Sequence, residues 1–470
     1  MTEASPGRRR RLTLLLCSSG FFLITLDILI VNVALTAIGR DLGGDTVALQ
    51  WTIDSYTLVF AALLLLAGNL SERLGAKRAF RIGIVLFAAA SIACAAAPSI
   101  ELLIAARALQ GAGAAVMLPA SMALIREAYD DDRERTRALG IWAVGGAVAT
   151  AVGPVLGGAL TSGDWRLVFA INLPVCVLML VLLRAVGRSP VEPSPFDWAG
   201  QVASVVGLTA LVFGLIEGGA VGFTAPLVLA SLATAVVAIA LFLVIQARAA
   251  HPMMPLDLFR SSGMRISLGV GFAFMVSNFG TVFVLSLFLQ QQLGLPPLVA
   301  GLVFLPGAAF SILGNVVSGV LANRFGTRVP IVSGLTLMAL GLVLTVLTAP
   351  LESPVLVGTA VCLTGFGGAV AMPPVTSVVL SSVPPARAGT ASAVFNTFRQ
   401  VGGAVAIAVF GAFIADRDSF VPGLQLSLAI AAVLVVAAAA ASLFLRTRSA
   451  PAEPEASQPT AEPATRAILT

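Results

Sequence analysis

Two charged residues lie inside long apolar segments of the sequence, where a charge needs a chemical reason to be present. Asp27 is the acid of an apolar run that begins near Leu12, and Arg107 lies a turn or two inside another run. In a helix, Asp27 would lie about 22 Å from the start of its segment. A charge at such depth in a bilayer costs roughly 2.5 to 3.5 kcal/mol, so both side chains should face a cavity or a partner.

Two interpretations of Asp27 remain open. Loss of water favours the neutral form of a carboxyl group, so a deeply placed acid can take up and release a proton during a transport cycle. Alternatively, a neutral and hydrogen-bonded Asp27 only fixes the packing of its helix. Arg107 is always charged, and we expect it to contact carbonyl groups or an acid.

Further polar residues interrupt the apolar segments and predict a substrate cavity. With Asp27, these residues are Asn32, Asp54, Gln110, Asn278 and Arg399. Asp54 lies less than two turns from the end of its segment, so it could either contact a cationic substrate or extend to the membrane interface.

Enzymatic and metal chemistry have little support in the sequence. No nucleophile or HExxH pattern occurs at a usable spacing. The acids Asp130, Asp131 and Asp132 alternate with arginines, which is typical of a solvated loop. The four cysteines show no CxxC spacing, so neither a disulfide framework nor a zinc site is indicated. We expect no metal, no cofactor and no enzymatic activity.

The composition identifies the solvent of the folded chain as a lipid bilayer. Of the 470 residues, 58% are hydrophobic and 11% are charged, and the mean hydropathy is +0.98. A membrane-spanning helix needs roughly 20 apolar residues, and the sequence offers about fourteen such segments. We therefore predict an all-α polytopic membrane protein.

The distribution of Lys and Arg predicts the orientation. The loops on one side carry most basic residues, including the cluster Arg8 to Arg11, whereas the other loops carry only Arg40, Arg166 and Arg417. Because basic loops stay in the cytoplasm, both termini are expected there. The same bias accounts for the net charge of +5, so we do not predict a nucleic-acid partner.

A loop over residues 68–78 has a second copy, which divides the chain into two related halves. Its pattern is Gly68, Leu70, Arg73, Gly75 and Lys77, and a constant offset of 251 residues relates it to Gly319, Leu321, Arg324, Gly326 and Arg328. The apolar segments within residues 198–247 have no detectable copy. Six spans, two inserted spans and six more spans account for the offset.

These features predict the following organisation. A basic cytoplasmic tail covers residues 1–11, a six-helix bundle 12–186, a linker with two inserted spans 187–247, a cytoplasmic linker 248–265, a second six-helix bundle 266–445, and a disordered cytoplasmic tail 446–470.

Several of these motifs resemble the major facilitator superfamily, in particular its fourteen-span drug/proton antiporters of the methylenomycin-exporter type. The loop at residues 68–78 is similar to that family's cytoplasmic signature, with Glu72 in place of the usual Asp. Leu26-Asp27 to Leu35 resembles its first-span motif, and Arg107 with Gln110-Gly111 its fourth-span motif. The fifth span resembles its antiporter motif through Gly140, Gly153, Pro154, Gly157 and Gly158, although Ala149 replaces one glycine.

The resemblance implies a proton-coupled multidrug or antibiotic exporter with the major facilitator fold, working by alternating access. Asp27 and Arg107 would couple it to protons, and the Gly68 and Gly319 loops and the fifth span would change conformation. The expected partners are protons, the bilayer and a small amphipathic or hydrophobic substrate. A monomer in the bacterial cytoplasmic (inner) membrane is expected. A proton-coupled importer of a nutrient or metabolite is the alternative.

Overall fold

The computed structural model describes residues 6–129, 131–187, 189–191, 196–384, 387–415 and 419–445. Within these ranges the secondary structure is helical, without strands. The predicted tail at 446–470 and residues 1–5 lie outside them. The helices are α1 (Pro6–Leu42), α2 (Thr46–Leu74), α3 (Ala76–Ala95), α4 (Ile100–Ala128), α5 (Asp132–Thr161), α6 (Leu167–Ala170), α7 (Asn172–Leu183), α8 (Trp198–Val221), α9 (Pro226–Arg248), α10 (Ser262–Leu287), α11 (Pro297–Phe325), α12 (Arg328–Thr348), α13 (Pro354–Ser381), α14 (Ala388–Phe413) and α15 (Phe420–Ser442).

Thirteen helices of the described chain are long and apolar enough to cross a membrane, which confirms the all-α polytopic fold. The remaining predicted span, the sixth in chain order, corresponds to Leu167–Leu183, a shorter apolar segment that is divided at Ile171 into α6 and α7. At 1.5 Å per residue it is about 26 Å long, slightly less than the usual hydrocarbon thickness. The helix α1 begins at Pro6, so the basic residues Arg8 to Arg11 form its first turns.

The helices form two bundles with a pair of helices between them in sequence. In the first bundle, α1 packs on α5, and α2 and α3 pack on α4. In the second bundle, α11 and α12 pack on α13, and α10 packs on α14. The two bundles meet along two seams, which we call the α5/α11 seam and the α2/α14 seam.

The inserted helices α8 and α9 lie beside the α2/α14 seam. The helix α8 packs on α9 and also contacts both α2 and α14. By contrast, α9 exposes large apolar side chains, including Val236 at 69% and Val237 at 66%. This surface fits hydrocarbon, so α9 faces lipid while α8 fills the space beside the seam.

We call the end of the molecule where α1 begins and α15 ends the termini side, and the opposite end the far side. On the far side, the Gln50 side chain of α2 donates to the carbonyl oxygens of Ile407 and Ala408 at 3.1 and 3.0 Å. Gln290 donates to the carbonyl oxygen of Val33 at 3.0 Å. These bonds connect the bundles, so the far side is closed in this conformation.

Candidate functional site

The predicted residues Asp27 and Arg107 meet in a fully buried ion pair. Asp27 comes from α1 and Arg107 from α4, and both side chains are 0% exposed. The Arg107 Nη1 donates to Asp27 Oδ2. The other carboxylate oxygen, Oδ1, accepts 2.8 Å bonds from Gln110 Nε2 and Asn172 Nδ2. Three donors from two helices, α4 and α7, therefore surround one acid of α1.

Neighbouring helices hold Arg107 in place. Its Nε donates to the carbonyl oxygen of Thr52 in α2 at 3.1 Å, and its guanidinium lies 4.3 Å from the centre of the Tyr56 ring. The Nη1 also donates to Gln110 Oε1 at 2.7 Å. Since Arg107 and Gln110 are three residues apart on α4, they project from the same face. The cation is thus oriented by two helices before it meets Asp27.

A hydroxyl group from α3 completes the cluster. Ser91 Oγ accepts from Gln110 Nε2 at 2.9 Å and from Asn172 Nδ2 at 3.3 Å. Some atoms of the cluster have no hydrogen-bond partner among the described residues, namely Arg107 Nη2, Asn172 Oδ1 and Tyr56 Oη. The charges in this cluster balance only while Asp27 is ionised, because protonation would leave Arg107 as an uncompensated buried cation.

Asn172 and Ser91 belong to this cluster, yet the sequence did not predict them as site residues. Asn172 is fully buried at the start of α7, and Ser91 is fully buried within α3. The available signal was the isolated amide of Asn172 beside a long apolar run. A serine in a membrane helix carries less information, because its hydroxyl group usually bonds within its own helix.

The remaining residues predicted to form a substrate cavity do not join this cluster. Asn32 donates to the carbonyl oxygen of Ile28 in its own helix at 2.8 Å. Arg399 Nη1 donates to Asn396 at 3.2 Å in α14, and Asn278 lies half-buried in α10. Asp54 is 0% exposed, so the expectation that it extends to the membrane interface is wrong.

A cavity of about 300 Å³ opens between α10, α14 and the segment that precedes α10. It lies on the termini side of the second bundle. Its lining is mainly aromatic and apolar with one cation: Phe259, Arg265, Leu268, Gly269, Phe272 and Phe398. None of the predicted cavity residues lines it, although Arg399 follows Phe398 directly.

The loop at residues 68–78 is fastened to the segment that follows α7. Gly75 has φ 79°, a conformation that glycine adopts without strain. The next turn places the Lys77 backbone N–H 3.0 Å from Ser189 Oγ, while Lys77 Nζ donates to the carbonyl oxygen of Val186. Arg73 lies 4.6 Å from the centre of the Phe196 ring. The first-half loop therefore contacts the connection between the bundles.

The second copy has the same positive φ at its matching glycine but different surroundings. Gly326 has φ 77°, which matches Gly75. Arg324, however, lies over the ring of its own neighbour Phe325, at 5.3 Å. The repeat therefore preserves the turn, whereas the contact with an inter-bundle connection belongs to the first copy.

This difference predicts unequal effects of two equivalent substitutions. We expect Arg73→Ala to reduce transport several-fold, because it removes the contact with Phe196, whereas Arg324→Ala should have a smaller effect. Initial transport rates of both variants at equal expression test this expectation. Equal losses would contradict the asymmetry.

The glycines predicted to mark the fifth span serve close helix packing at three positions. A side chain on Gly157 would meet the Ile30 carbonyl oxygen of α1 at 2.6 Å, and one on Gly158 would meet the Pro297 carbonyl oxygen of α11 at 2.4 Å. Gly153 lies against Leu29, whereas Gly140 has open space. Despite Pro154, α5 remains one helix. The motif thus brings α5 against both α1 and the second bundle.

The two bundles of apolar helices, the first of which contains a buried ion pair, define a polytopic membrane protein. The family model of the Major Facilitator Superfamily matches residues 17–407, and the chain belongs to this superfamily. Its solved structural neighbours include a bacterial homologue of the human lysosomal transporter Spinster in an inward-facing conformation. That structure has 18% sequence identity and a TM-score of 0.65, and the match covers 94% of this chain and 99% of that chain. The xylose transporter XylE from E. coli has 15% identity and a TM-score of 0.67, with coverage of 94% and 99%.

Several curated proteins are more similar to this chain in sequence than these structural neighbours are. The multidrug resistance protein Stp of Mycobacterium tuberculosis H37Rv is 38% identical, over 87% of this chain and 76% of the relative. The methylenomycin A resistance protein of Streptomyces coelicolor is 36% identical, over 87% of each chain. The drug efflux pump JefA of Mycobacterium tuberculosis H37Rv is 34% identical, over 87% of this chain and 81% of the relative.

Proposed function

We propose that this chain is a proton-coupled exporter of small amphipathic or hydrophobic compounds, including antibiotics, and that it works by alternating access. The observation that carries this proposal is the buried Asp27–Arg107 pair, whose acid has three donors and no exposure. A purely structural role would be served more cheaply by apolar packing, since burial of two charges is costly.

We infer that the termini side faces the cytoplasm, because the basic loops lie there. A proton that reaches Asp27 from outside neutralises the acid and releases Arg107 from its counter-ion. The freed cation then favours rearrangement of α1 against α4. Loss of the proton to the cytoplasm restores the pair and resets the cycle.

The energy of this step is sufficient for export. A proton that moves inward across 100 mV supplies about 2.3 kcal/mol, which supports a substrate gradient of more than tenfold. The proton gradient is the only energy source in this scheme, and neither a metal nor a cofactor takes part.

Relatedness supports the direction of transport and the substrate class. The names of the relatives describe multidrug resistance, methylenomycin resistance and drug efflux. The aromatic cavity of the second bundle, which opens on the termini side, is suited to apolar compounds that arrive from the cytoplasm. We place the protein, as a monomer, in the bacterial cytoplasmic membrane.

Purified protein in liposomes tests the proposal. With a fluorescent cationic dye as the probe, wild-type protein should move dye against its gradient when a pH gradient is imposed, and a protonophore should stop the movement. Dye movement in the same direction as the protons would instead identify an importer. Transport that persists unchanged with protonophore would remove proton coupling.

A further inference from the structure

A second buried acid, Asp54, lies on a face of α2 that is turned away from the Asp27 cluster. The carbonyl oxygen of Thr52 and the ring of Tyr56 face Arg107. Gln50 lies four residues before Asp54 and bonds to α14, and Leu58 lies four residues after it. Leu58 packs against residues of α8 and α14: Val212, Ile216, Ala404 and Ala408. Because residues four apart share a helix face, Asp54 projects into the α2/α14 seam beside α8.

Asp54 has no partner in that seam. It is 0% exposed, and neither carboxyl oxygen has a hydrogen bond among the described residues. A polar side chain in this situation normally finds a donor or contacts water. Since Asp54 makes no hydrogen bond that would stabilise this conformation, we infer that its carboxyl group has a role in another conformation of the protein.

The charged side chains of α8 and α14, which pack around Asp54, contact other residues. On α8, Glu217 accepts from Trp51 at 3.5 Å, and Asp197 lies at the termini-side end bonded to Gln246. On α14, Arg399 lies near Phe274 and Phe395, and Arg387 pairs with Asp257.

The helices of the first bundle also provide no cation for Asp54. On α4, Arg107 pairs with Asp27 of α1. On α1, Asp41 pairs with Arg166 at 2.7 Å, and the buried polar residues of α3, such as Ser91, are uncharged. Hence no positive charge of the described residues contacts Asp54 in the closed seam.

We propose that Asp54 is a second proton-binding group, and that the far side closes only when this acid carries its proton. An ionised carboxylate could not enter the closed seam, because it would be buried without water, donor or cation. When the outer parts of α2 and α14 separate, water reaches Asp54 and the proton can leave. Closure of the far side then requires uptake of a proton from the far-side medium.

This inference rests on the alternating access of the proposed function, but it can be tested without drug or gradient. Spin labels on Arg40→Cys and Gln292→Cys report the far-side distance between the bundles, since both side chains are exposed near the far ends of α1 and α10. Cys362 is half-buried and would be replaced by alanine, whereas Cys17, Cys94 and Cys176 are buried. Distances would be measured in lipid nanodiscs from pH 5 to pH 9, in an Asp27→Asn background that silences the first acid.

We expect acidification to raise the ratio of short to long distances by about tenfold or more. Asp54→Asn should give the short distance at every pH, since asparagine resembles the neutral acid. Asp54→Glu should keep the pH dependence. The control Glu217→Gln changes the other acid of this seam and should leave the pH dependence intact.

Two results would overturn the proposal. One is a pH-independent distance in the background that retains Asp54. The other is an unchanged pH dependence after Asp54→Asn in protein that elutes as a folded monodisperse sample. A failure of drug transport in liposomes with pH-dependent closure preserved would count against the exporter function alone, so the two proposals are separable.

Discussion

Replacement of Asp27 by asparagine should reduce drug transport driven by a pH gradient at least tenfold. Asparagine can keep hydrogen bonds to Gln110 and Asn172, so the helices can still pack, but it cannot take up a proton. Arg107 would remain without its counter-ion throughout the cycle. The measurement is dye uptake into everted vesicles after a pH jump, at matched expression.

The acid Asp41 provides a matched control on the same helix. It is half-exposed near the far end of α1 and pairs with Arg166. Asp41→Asn should therefore leave most pH-driven transport intact. Full proton-driven uptake by Asp27→Asn would eliminate the carrier role of this residue, and the proton would have to use another group.

Replacement of Arg107 by alanine should reduce transport as strongly as Asp27→Asn does, and it should also lower the stability of the protein. It leaves Asp27 buried without its cation, and breaking a buried pair in this way costs roughly 3 to 5 kcal/mol. The cavity left by a fully buried arginine adds to this cost. We expect a midpoint of thermal unfolding several degrees lower in detergent, together with loss of transport.

Removal of both charges separates the effect on stability from the effect on transport. The double variant Asp27→Asn/Arg107→Gln lacks the uncompensated charge, so it should regain much of the lost stability while it remains inactive. As a control, Arg166→Ala breaks the half-exposed pair with Asp41 and should change stability little. Restored transport in the double variant would show that the pair serves folding alone.

The features that sequence predicts well here are those that depend on length and repetition. Segment length set by the bilayer located the membrane helices, and the matching turns at Gly75 and Gly326 both require positive φ. The cost of a buried charge was enough to single out Asp27 and Arg107 before their contact was known. Segment length also located the sixth span, but it did not predict that this span is shorter and divided at Ile171 into α6 and α7.

Helix orientation could not be predicted with the same success. In water, an apolar stripe marks the buried face, but a membrane helix is apolar toward both lipid and protein. The pattern around Asp54 therefore left two placements open, and the structure shows a third environment between α2, α8 and α14. Asn172 was missed for a related reason, since the apolar residues of α7 do not mark the face that meets Asp27, and its isolated amide was the available signal.

The inserted helices have a mechanical consequence that follows from how α8 is attached. Gln201 of α8 donates to the carbonyl oxygen of Ala62 in α2 at 2.8 Å, and Glu217 accepts from Trp51. Toward α14, α8 presents close apolar contacts, such as Gly219 against Ala412. Side-chain hydrogen bonds resist sliding, whereas a smooth apolar surface permits it. When the two bundles move relative to each other, α8 and α9 should therefore move together with the first bundle. In the same movement, α14 should slide along the apolar surface of α8.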